Sequence, residues 1–196
     1  MILDRKEKAK ELTDWIHHYL NLIKKRTEKL KPNEKIRVYI EHGGGVYKSV
    51  SKLYGFNDLI EWAGGINIAS EQPVPLPIVN AEWVLEQNPD FIVVYGHPPA
   101  VRVDTIPTKK HLSLYVKEIY HRKELQNLKA RKEKNVCLLH VRIITGPRMI
   151  VGLCYLAKWF YPHLFKDLDP DKVDEEFCRK FWKSKPDGEL VFPPGE

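Results

Sequence analysis

Three histidines lie where residues able to bind a metal ion or an anion would be expected. His42, His97 and His140 each stand at or just after a segment predicted to be a strand. Because the carboxyl ends of parallel strands meet at one edge of a sheet, the three rings would share that edge if these strands are neighbours. Imidazole nitrogens bind metals, so a shared site is one interpretation, and separate surface or hydrogen-bonded histidines are the other.

Two arginines flank a turn that follows the third predicted strand. Arg142 and Arg148 lie on either side of Thr145-Gly146-Pro147. A guanidinium here could pair with a carboxylate, a phosphate or an acidic metal chelate. For Arg148, a structural ion pair at the start of the next helix is an equal alternative.

The glycines at 43–45 form the segment most similar to a phosphate-binding loop. No Lys-Ser/Thr pair follows them, and their spacing differs from the dinucleotide-binding pattern. The sequence also lacks a nucleophile elbow, an HExxH motif and a paired-carboxylate pattern. These observations favour a ligand-binding protein over an enzyme, with no intrinsic cofactor.

The charge distribution and the cysteine spacing argue against a nucleic-acid-binding domain and against a cysteine metal site or disulfide. The chain has 196 residues and a net charge of +6, and its basic residues are mostly interspersed with acids. The most basic segment, 129–134, lacks interleaved aromatics, so a nucleic-acid-binding domain is an unsupported alternative and no nucleic acid is expected as a partner. Cys137, Cys154 and Cys178 have no CxxC spacing, which favours buried free thiols.

Hydrophobic periodicity predicts alternating helices and strands. A long amphipathic helix is expected over 4–30, before Pro32. The remaining predicted helices cover 48–62, a segment capped at Asn80, 109–122, 148–161 and 171–182, and the predicted strands cover 36–40, 91–95 and 136–139.

This alternation predicts an α/β fold. We expect a three-layer lobe with a largely parallel sheet flanked by helices, preceded by one long amphipathic backbone helix. The expected organisation is a backbone helix at 1–34, an α/β ligand-binding lobe at 35–165, and a C-terminal helix and tail at 166–196 packed on the lobe.

Five short motifs, in order along the chain, resemble one known family. From residue 35 onward, the sequence resembles the carboxyl-terminal lobe of the helical-backbone substrate-binding proteins of ABC importers, and 4–30 resembles the helix that joins their two lobes. The motifs are 62–69, 79–92, 127–130 before the strand at 135–139, 146–148, and 156–162.

The resemblance implies a noncatalytic protein that captures a ferric siderophore, haem or cobalamin outside the membrane and delivers it to an ABC permease. An iron chelate such as a ferric siderophore is the expected ligand. The amino-terminal lobe and the export signal of the family are absent from this sequence, so the chain is expected to be a carboxyl-terminal half, either a fragment or a one-lobe protein. If it is part of a full-length exported receptor, it is expected to be extracytoplasmic, at the cell surface or in the periplasm. A stand-alone histidine-based metal-binding protein is the alternative.

The resemblance also implies roles for individual residues. Glu82 matches the glutamate that docks onto permease arginines, and Leu76 matches a cleft position. The ligand-binding candidates, chosen by position, are His42, Tyr47, Leu76, Tyr95, His97, Arg142 and Arg148. A single lobe is expected to bind its ligand weakly, and an exposed apolar face of the long helix is expected to drive formation of a homodimer.

Overall fold

A continuous apolar run near the middle of the chain forms the central strand of a sheet. In the computed structural model, which describes residues 6–43, 45–96 and 106–196, this strand is β3 (Phe91–Gly96) and is buried throughout. Parallel strands β1 (Arg37–His42) and β4 (Val136–His140) flank it. The sheet is completed by β2 (Ile66–Asn67), parallel to β1, and β5 (Val191–Phe192), antiparallel to β4. The predicted, largely parallel sheet is confirmed.

Helices cover both faces of this sheet, as an apolar strand pattern requires. One face packs against α1 (Lys6–Thr27), α2 (Phe56–Trp62), α6 (Met149–Phe160) and α7 (Pro170–Phe177). The other packs against α3 (Ala81–Gln87), α4 (Lys109–His121) and α5 (Lys129–Lys132). The predicted three-layer α/β architecture is therefore confirmed.

The long first helix is present, but its apolar side faces this lobe. Trp15 and Ile23 are buried, and Leu12, Ile16 and Tyr19 pack against the core that also contains α6. Large exposed apolar side chains in the described ranges lie elsewhere, at Val46, Leu53, Trp62, Val74, Ile78, Ile106, Leu114 and Trp182. The predicted exposed face on α1 is wrong, which removes the physical basis for a homodimer through this helix.

Glycine is required where α2 turns back toward the sheet. Gly64 has φ of +87°, and a Cβ there would lie 2.9 Å from the Thr27 side chain. The Tyr161 hydroxyl donates a hydrogen bond to the Gly64 carbonyl and accepts one from the Ile36 amide. The predicted left-handed cap thus also joins α1, β1 and the end of α6.

The helix predicted over 48–62 begins only at Phe56, so this prediction is wrong for 48–55. The Ser49 and Ser51 amides donate to the Pro77 and Pro75 carbonyls, and this pairing keeps the segment extended. The Ser49 hydroxyl also donates to the buried Ile40 carbonyl at 2.7 Å. Tertiary pairing therefore overrides the local helical pattern.

The helix predicted over 171–182 is present as α7 and its continuation, and the tail beyond it contains one short strand that the sequence does not indicate. A π-helix, Cys178–Trp182, continues α7, and the short strand β5 follows within the predicted polar Pro/Gly segment. None of the helices in the described ranges is long and apolar enough to span a membrane. The three predicted domain ranges stay predictions.

Candidate ligand-binding site

The carboxyl ends of β1, β3 and β4 form one edge of the sheet. His42 lies opposite Tyr95, and Gly96 lies opposite His140. The Gly43 amide donates to the Tyr95 carbonyl at 2.8 Å, so the chain leaving β1 stays close to the end of β3. Ligands of parallel α/β sheets bind at this edge, because the loops diverge there and leave a crevice.

A pocket of about 550 Å³ opens at this edge, on the side of the sheet covered by α2 and α6. The loop from β1 to α2 and the ends of β1 and β3 form one wall, and the turn from β4 into α6 forms the other. The side chains that shape it include His42, Tyr54, Phe56, Tyr95, Thr145 and Met149.

Aromatic rings pack closely along one wall of the pocket. The Phe56 and Tyr95 rings stack with centroids 4.2 Å apart and planes 11° apart. The His42 ring meets Tyr95 edge-on at 4.9 Å, and Tyr54 lies 6.0 Å from Tyr95. The four rings therefore pack against one another and form one continuous aromatic wall.

The lining of the pocket is largely apolar and carries little charge. Its described lining includes the carboxylate of Asp58 but no lysine or arginine. Burial, together with the nearby Tyr54 hydroxyl, raises the pKa of Tyr95 above its ordinary value of 10.0. The Tyr95 hydroxyl is therefore protonated at neutral pH and can donate a hydrogen bond.

The structure brings together only some of the predicted site residues. His42 and Tyr95 line the pocket. The half-buried Leu76 packs against the core on the face of the sheet covered by α1 and α6. Tyr47 lies toward the opposite face of the sheet, where its hydroxyl donates to Glu124 at 2.7 Å. His97 lies outside the described residues.

Both predicted arginines bind carboxylates of this chain. Arg148 is 1% exposed, and Nε and one terminal nitrogen bind the two Asp174 oxygens at 2.8 and 2.7 Å. Arg142 pairs with Asp187 at 2.9 Å. The structural ion pair considered for Arg148 from sequence is therefore present, and its acid, Asp174, lies in α7.

The prediction that His42, His97 and His140 converge on a metal stays a prediction, because His97 lies outside the described residues. His140 is buried, and its Nδ1 accepts a hydrogen bond from the Arg142 amide. Within residues 6–43, 45–96 and 106–196, no group of three or more His, Cys, Asp or Glu side chains is arranged to hold a metal ion. The His42 ring forms part of the aromatic wall of the pocket.

Sequence reasoning missed Tyr54, Phe56, Thr145 and Met149. The predicted helix over 48–62 includes Tyr54 and Phe56, whereas the observed helix begins at Phe56, and the strand-end signal does not extend to residues in loops. A useful signal was present in Tyr54-Gly55-Phe56, where a glycine separates two aromatics directly before an amphipathic helix.

Two of the four basic residues in the segment 129–134 bind groups within this lobe. Lys129 pairs with Asp90 at 2.6 Å, and the Arg131 guanidinium donates to the Tyr120 and Arg122 carbonyls. Two of its cations therefore stabilise the connection before β4.

Glu82 lies exposed in the first turn of α3, after the loop that pairs with 47–51. The Asn80 side chain caps this helix by accepting from the Trp83 amide at 2.8 Å, as predicted. The capped turn fixes the position of Glu82 relative to the sheet edge.

Comparison with known proteins places this architecture in a family. The molybdate-binding protein MolA of Haemophilus influenzae is 27% identical over 194 residues, which cover 95% of this chain and 50% of MolA. The high-affinity heme uptake system protein IsdE of Staphylococcus aureus is 30% identical over 94 residues, covering 48% of this chain and 32% of IsdE.

Among solved structures, the TroA-like periplasmic binding protein FepB of Veillonella parvula matches with a TM-score of 0.83 and 28% identity, covering 98% of this chain and 58% of FepB. The chain thus spans little more than half of FepB and half of MolA. Residues 1–142 match the family described as periplasmic binding protein. Since this match covers well over half of the chain, the chain belongs to the periplasmic binding protein family.

Proposed function

We propose that this chain is the carboxyl-terminal lobe of the solute-binding protein of an ABC importer, and that it binds a metal chelate such as a ferric siderophore. The observation that carries the proposal is the aromatic pocket at the carboxyl edge of the sheet, bounded by His42, Tyr54, Phe56 and Tyr95. The family membership and the names of the relatives, which include binding and uptake proteins, support a transport role.

The chemistry of the lining favours a chelate over a bare oxyanion. An oxyanion such as molybdate, for which MolA is named, is best held by guanidinium, ammonium or several N–H groups. The described lining offers the Asp58 carboxylate and no lysine or arginine. A chelate surrounds its metal with an organic ligand, whose faces can stack on aromatic rings and whose oxygens can accept from the Tyr95 hydroxyl.

One lobe supplies only part of the required surface. Formed ligand pockets bury roughly 70–90% of a ligand, whereas this pocket is partly open to solvent. We therefore assign the opposite wall to a second α/β lobe. Binding by the present chain alone is expected to be weak, with a dissociation constant on the order of 0.1–1 mM.

Nuclear magnetic resonance detects binding of this strength and locates it. Gallium(III) complexes of a trihydroxamate and of a tricatecholate siderophore serve as diamagnetic probes, with haemin, cobalamin and molybdate in parallel. We expect one siderophore complex to shift amide resonances at 42–43, 54–59, 95–96 and 141–149. The iron(III) complex should broaden the same resonances.

Variants test the aromatic wall. Tyr54→Ala should weaken chelate binding about two- to tenfold, the contribution of one aromatic contact. Tyr47→Phe, on the opposite side of the sheet, is the matched control and should leave affinity unchanged. Molybdate binding at this edge without chelate binding would overturn the choice of ligand. Stoichiometric binding of bare Zn²⁺ that His42→Ala abolishes would instead favour a histidine-based metal protein.

We assign permease docking to Glu82, whose carboxylate is exposed on the capped turn of α3. Rim charges steer association, and salt screens them. Glu82→Gln should slow association with vesicles carrying the permease of the same importer, most clearly at low salt. Glu86→Gln, an exposed neighbour on the same helix, is the control. Equal slowing by both variants would count against a specific role for Glu82.

A further inference from the structure

The segment after the π-helix crosses the same sheet edge as the pocket. We call residues 183–190 the strap. It begins at Lys183, which has a left-handed φ of 57°. It ends where the Leu190 carbonyl accepts from the His140 amide at 2.8 Å, next to the carboxyl end of β4. The strap therefore runs beside the loop that forms one wall of the pocket.

One carboxylate of the strap binds both ends of that loop. The Asp187 oxygens lie 2.9 Å from a terminal nitrogen of Arg142 and 3.4 Å from one of Arg148. These two arginines bracket the residues 143–147, and this loop contributes Ile144 and Thr145 to the pocket lining. A single side chain outside the lining thus joins the two ends of a pocket wall.

The strap is also fastened to the segment that leads into α4. The Glu189 amide donates to the Pro107 carbonyl at 3.0 Å. At Gly188, where φ is +71°, a Cβ would lie 2.5 Å from a methyl carbon of Ile106. Because the strap is held at this second point, Asp187 is presented to the arginines by a fixed backbone.

Because Asp187 is partly exposed, its role in positioning the loop can be tested without disrupting the buried core. Arg148 keeps both Asp174 contacts if Asp187 is changed, so no buried charge is left without a partner. The side chains of Asp187 and Arg142 are 45% and 34% exposed. Removing the Asp187 charge should therefore loosen the loop while leaving the core intact.

We propose that Asp187 is a positioning residue that holds the 143–147 loop in its ligand-binding conformation. The effect on ligand affinity rests on the function proposed above, since Asp187 acts through the loop and does not line the pocket. The effect on the loop itself requires no ligand. The two can therefore be measured separately.

The test compares Asp187→Asn with Glu189→Gln, which removes the same charge two residues later in the strap. Without ligand, hydrogen–deuterium exchange of a peptide covering 141–149 should be on the order of fivefold faster in Asp187→Asn, as expected for a partly exposed ion pair. The gallium siderophore complex should bind more weakly by a similar factor. Glu189→Gln should change neither value, and Asp187→Glu should restore part of both.

Each outcome decides the proposal. Unchanged exchange in Asp187→Asn, or equal changes in Glu189→Gln, would overturn it. Faster exchange with unchanged affinity would show that the loop does not set binding, and would overturn it as well. If no probe binds the wild-type chain, the function proposed above fails, and the exchange measurement still decides whether Asp187 holds the loop.

Discussion

Two arginines of low exposure, on opposite faces of the sheet, make similar contacts that serve different parts of the fold. Arg122 binds both oxygens of Glu41 at 2.6 and 2.7 Å and lies 5.1 Å from the Tyr47 ring centroid. Arg148 binds both oxygens of Asp174 and lies 5.0 Å from the Trp182 ring centroid. Each combines a bidentate ion pair with an aromatic neighbour, an arrangement that suits a planar guanidinium.

The two arginines differ in where their acidic partners lie in the fold. Glu41 belongs to β1, directly before His42, so the Arg122 pair joins α4 to the central sheet. Asp174 and Asp187 belong to the C-terminal region, so the Arg148 pairs join α7 and the strap to the pocket loop. An arginine beside a binding loop thus cannot be given a role from its position alone, because the role depends on which acid meets it.

Removing Arg148, which contacts both Asp174 and Asp187, should have the largest effect. Arg148→Met leaves the buried Asp174 carboxylate without its main partner. We expect the free energy of unfolding to fall by about 3–5 kcal/mol, the usual cost of breaking a buried ion pair. Urea denaturation measures the change, with Arg142→Met as the partly exposed control. A loss below that of Arg142→Met would contradict the assignment of Arg148 as a structural arginine.

The pair on the other face should respond in the same direction. Arg122 is 11% exposed, and Glu41 keeps the hydrogen bond that the Tyr39 hydroxyl donates at 3.3 Å, so we place the loss for Arg122→Met near the lower end of the range, about 3 kcal/mol. A double-mutant cycle sharpens the test. The Glu41→Met, Arg122→Met chain should be more stable than the sum of the single changes predicts, because no unpaired buried charge remains. Strict additivity would argue against direct coupling.

A smaller effect is expected at the aromatic neighbour of Arg122. Tyr47→Phe removes the hydrogen bond to Glu124 and keeps the ring beside the guanidinium. The expected loss of stability is about 0.5–1 kcal/mol, typical of one hydrogen bond. Chemical denaturation checks the value, and a loss as large as that of Arg122→Met would show that the hydroxyl has a greater structural role.

The smallest effect concerns an exposed pair of similar design. Arg26 forms two hydrogen bonds with Asp167 and lies 5.3 Å from the Phe165 ring centroid, but its side chain is 30% exposed. The Arg26 guanidinium lowers the pKa of Asp167 from 3.8 to about 2. Since the folded-state value is depressed, the stabilisation is present above pH 3.8 and is lost as pH falls through about 2.

A carboxyl carbon titration by nuclear magnetic resonance tests this pair. The Asp167 midpoint should move from about 2 in the wild type toward 3.8 in Arg26→Gln. Lys24→Gln, which removes one exposed charge from the same helix, is the control and should have little effect. An unchanged midpoint in Arg26→Gln would show that Arg26 does not control this carboxyl group.

Much of the scaffold was predictable because its signals are local. The apolar run of β3, the cap at Asn80 and the glycine turn at Gly64 each depend on a few adjacent residues. The segment at 48–55 was not predictable, because Ser49 and Ser51 pair with carbonyls of residues more than 20 positions away. The short strands β2 and β5 also depend on distant partners.

The same distinction holds for the candidate site. His42 and Tyr95 were found because residues at the ends of parallel strands meet at one edge. Tyr54 and Thr145 were missed because they enter the pocket from loops whose paths are set by tertiary contacts.

The sequence by itself determined the α/β class, the order of most elements and the family, and it predicted the edge of the sheet where we propose that a ligand binds. These follow from periodicity, turn residues and short motifs, which act over a few residues. Only the tertiary structure decided that Arg148 is buried against Asp174, that Tyr47 faces away from the pocket, and that Asp187 joins both ends of a pocket wall. The physical reason is that a charged side chain takes its role from the partner it meets, and folding brings that partner from a distant part of the chain.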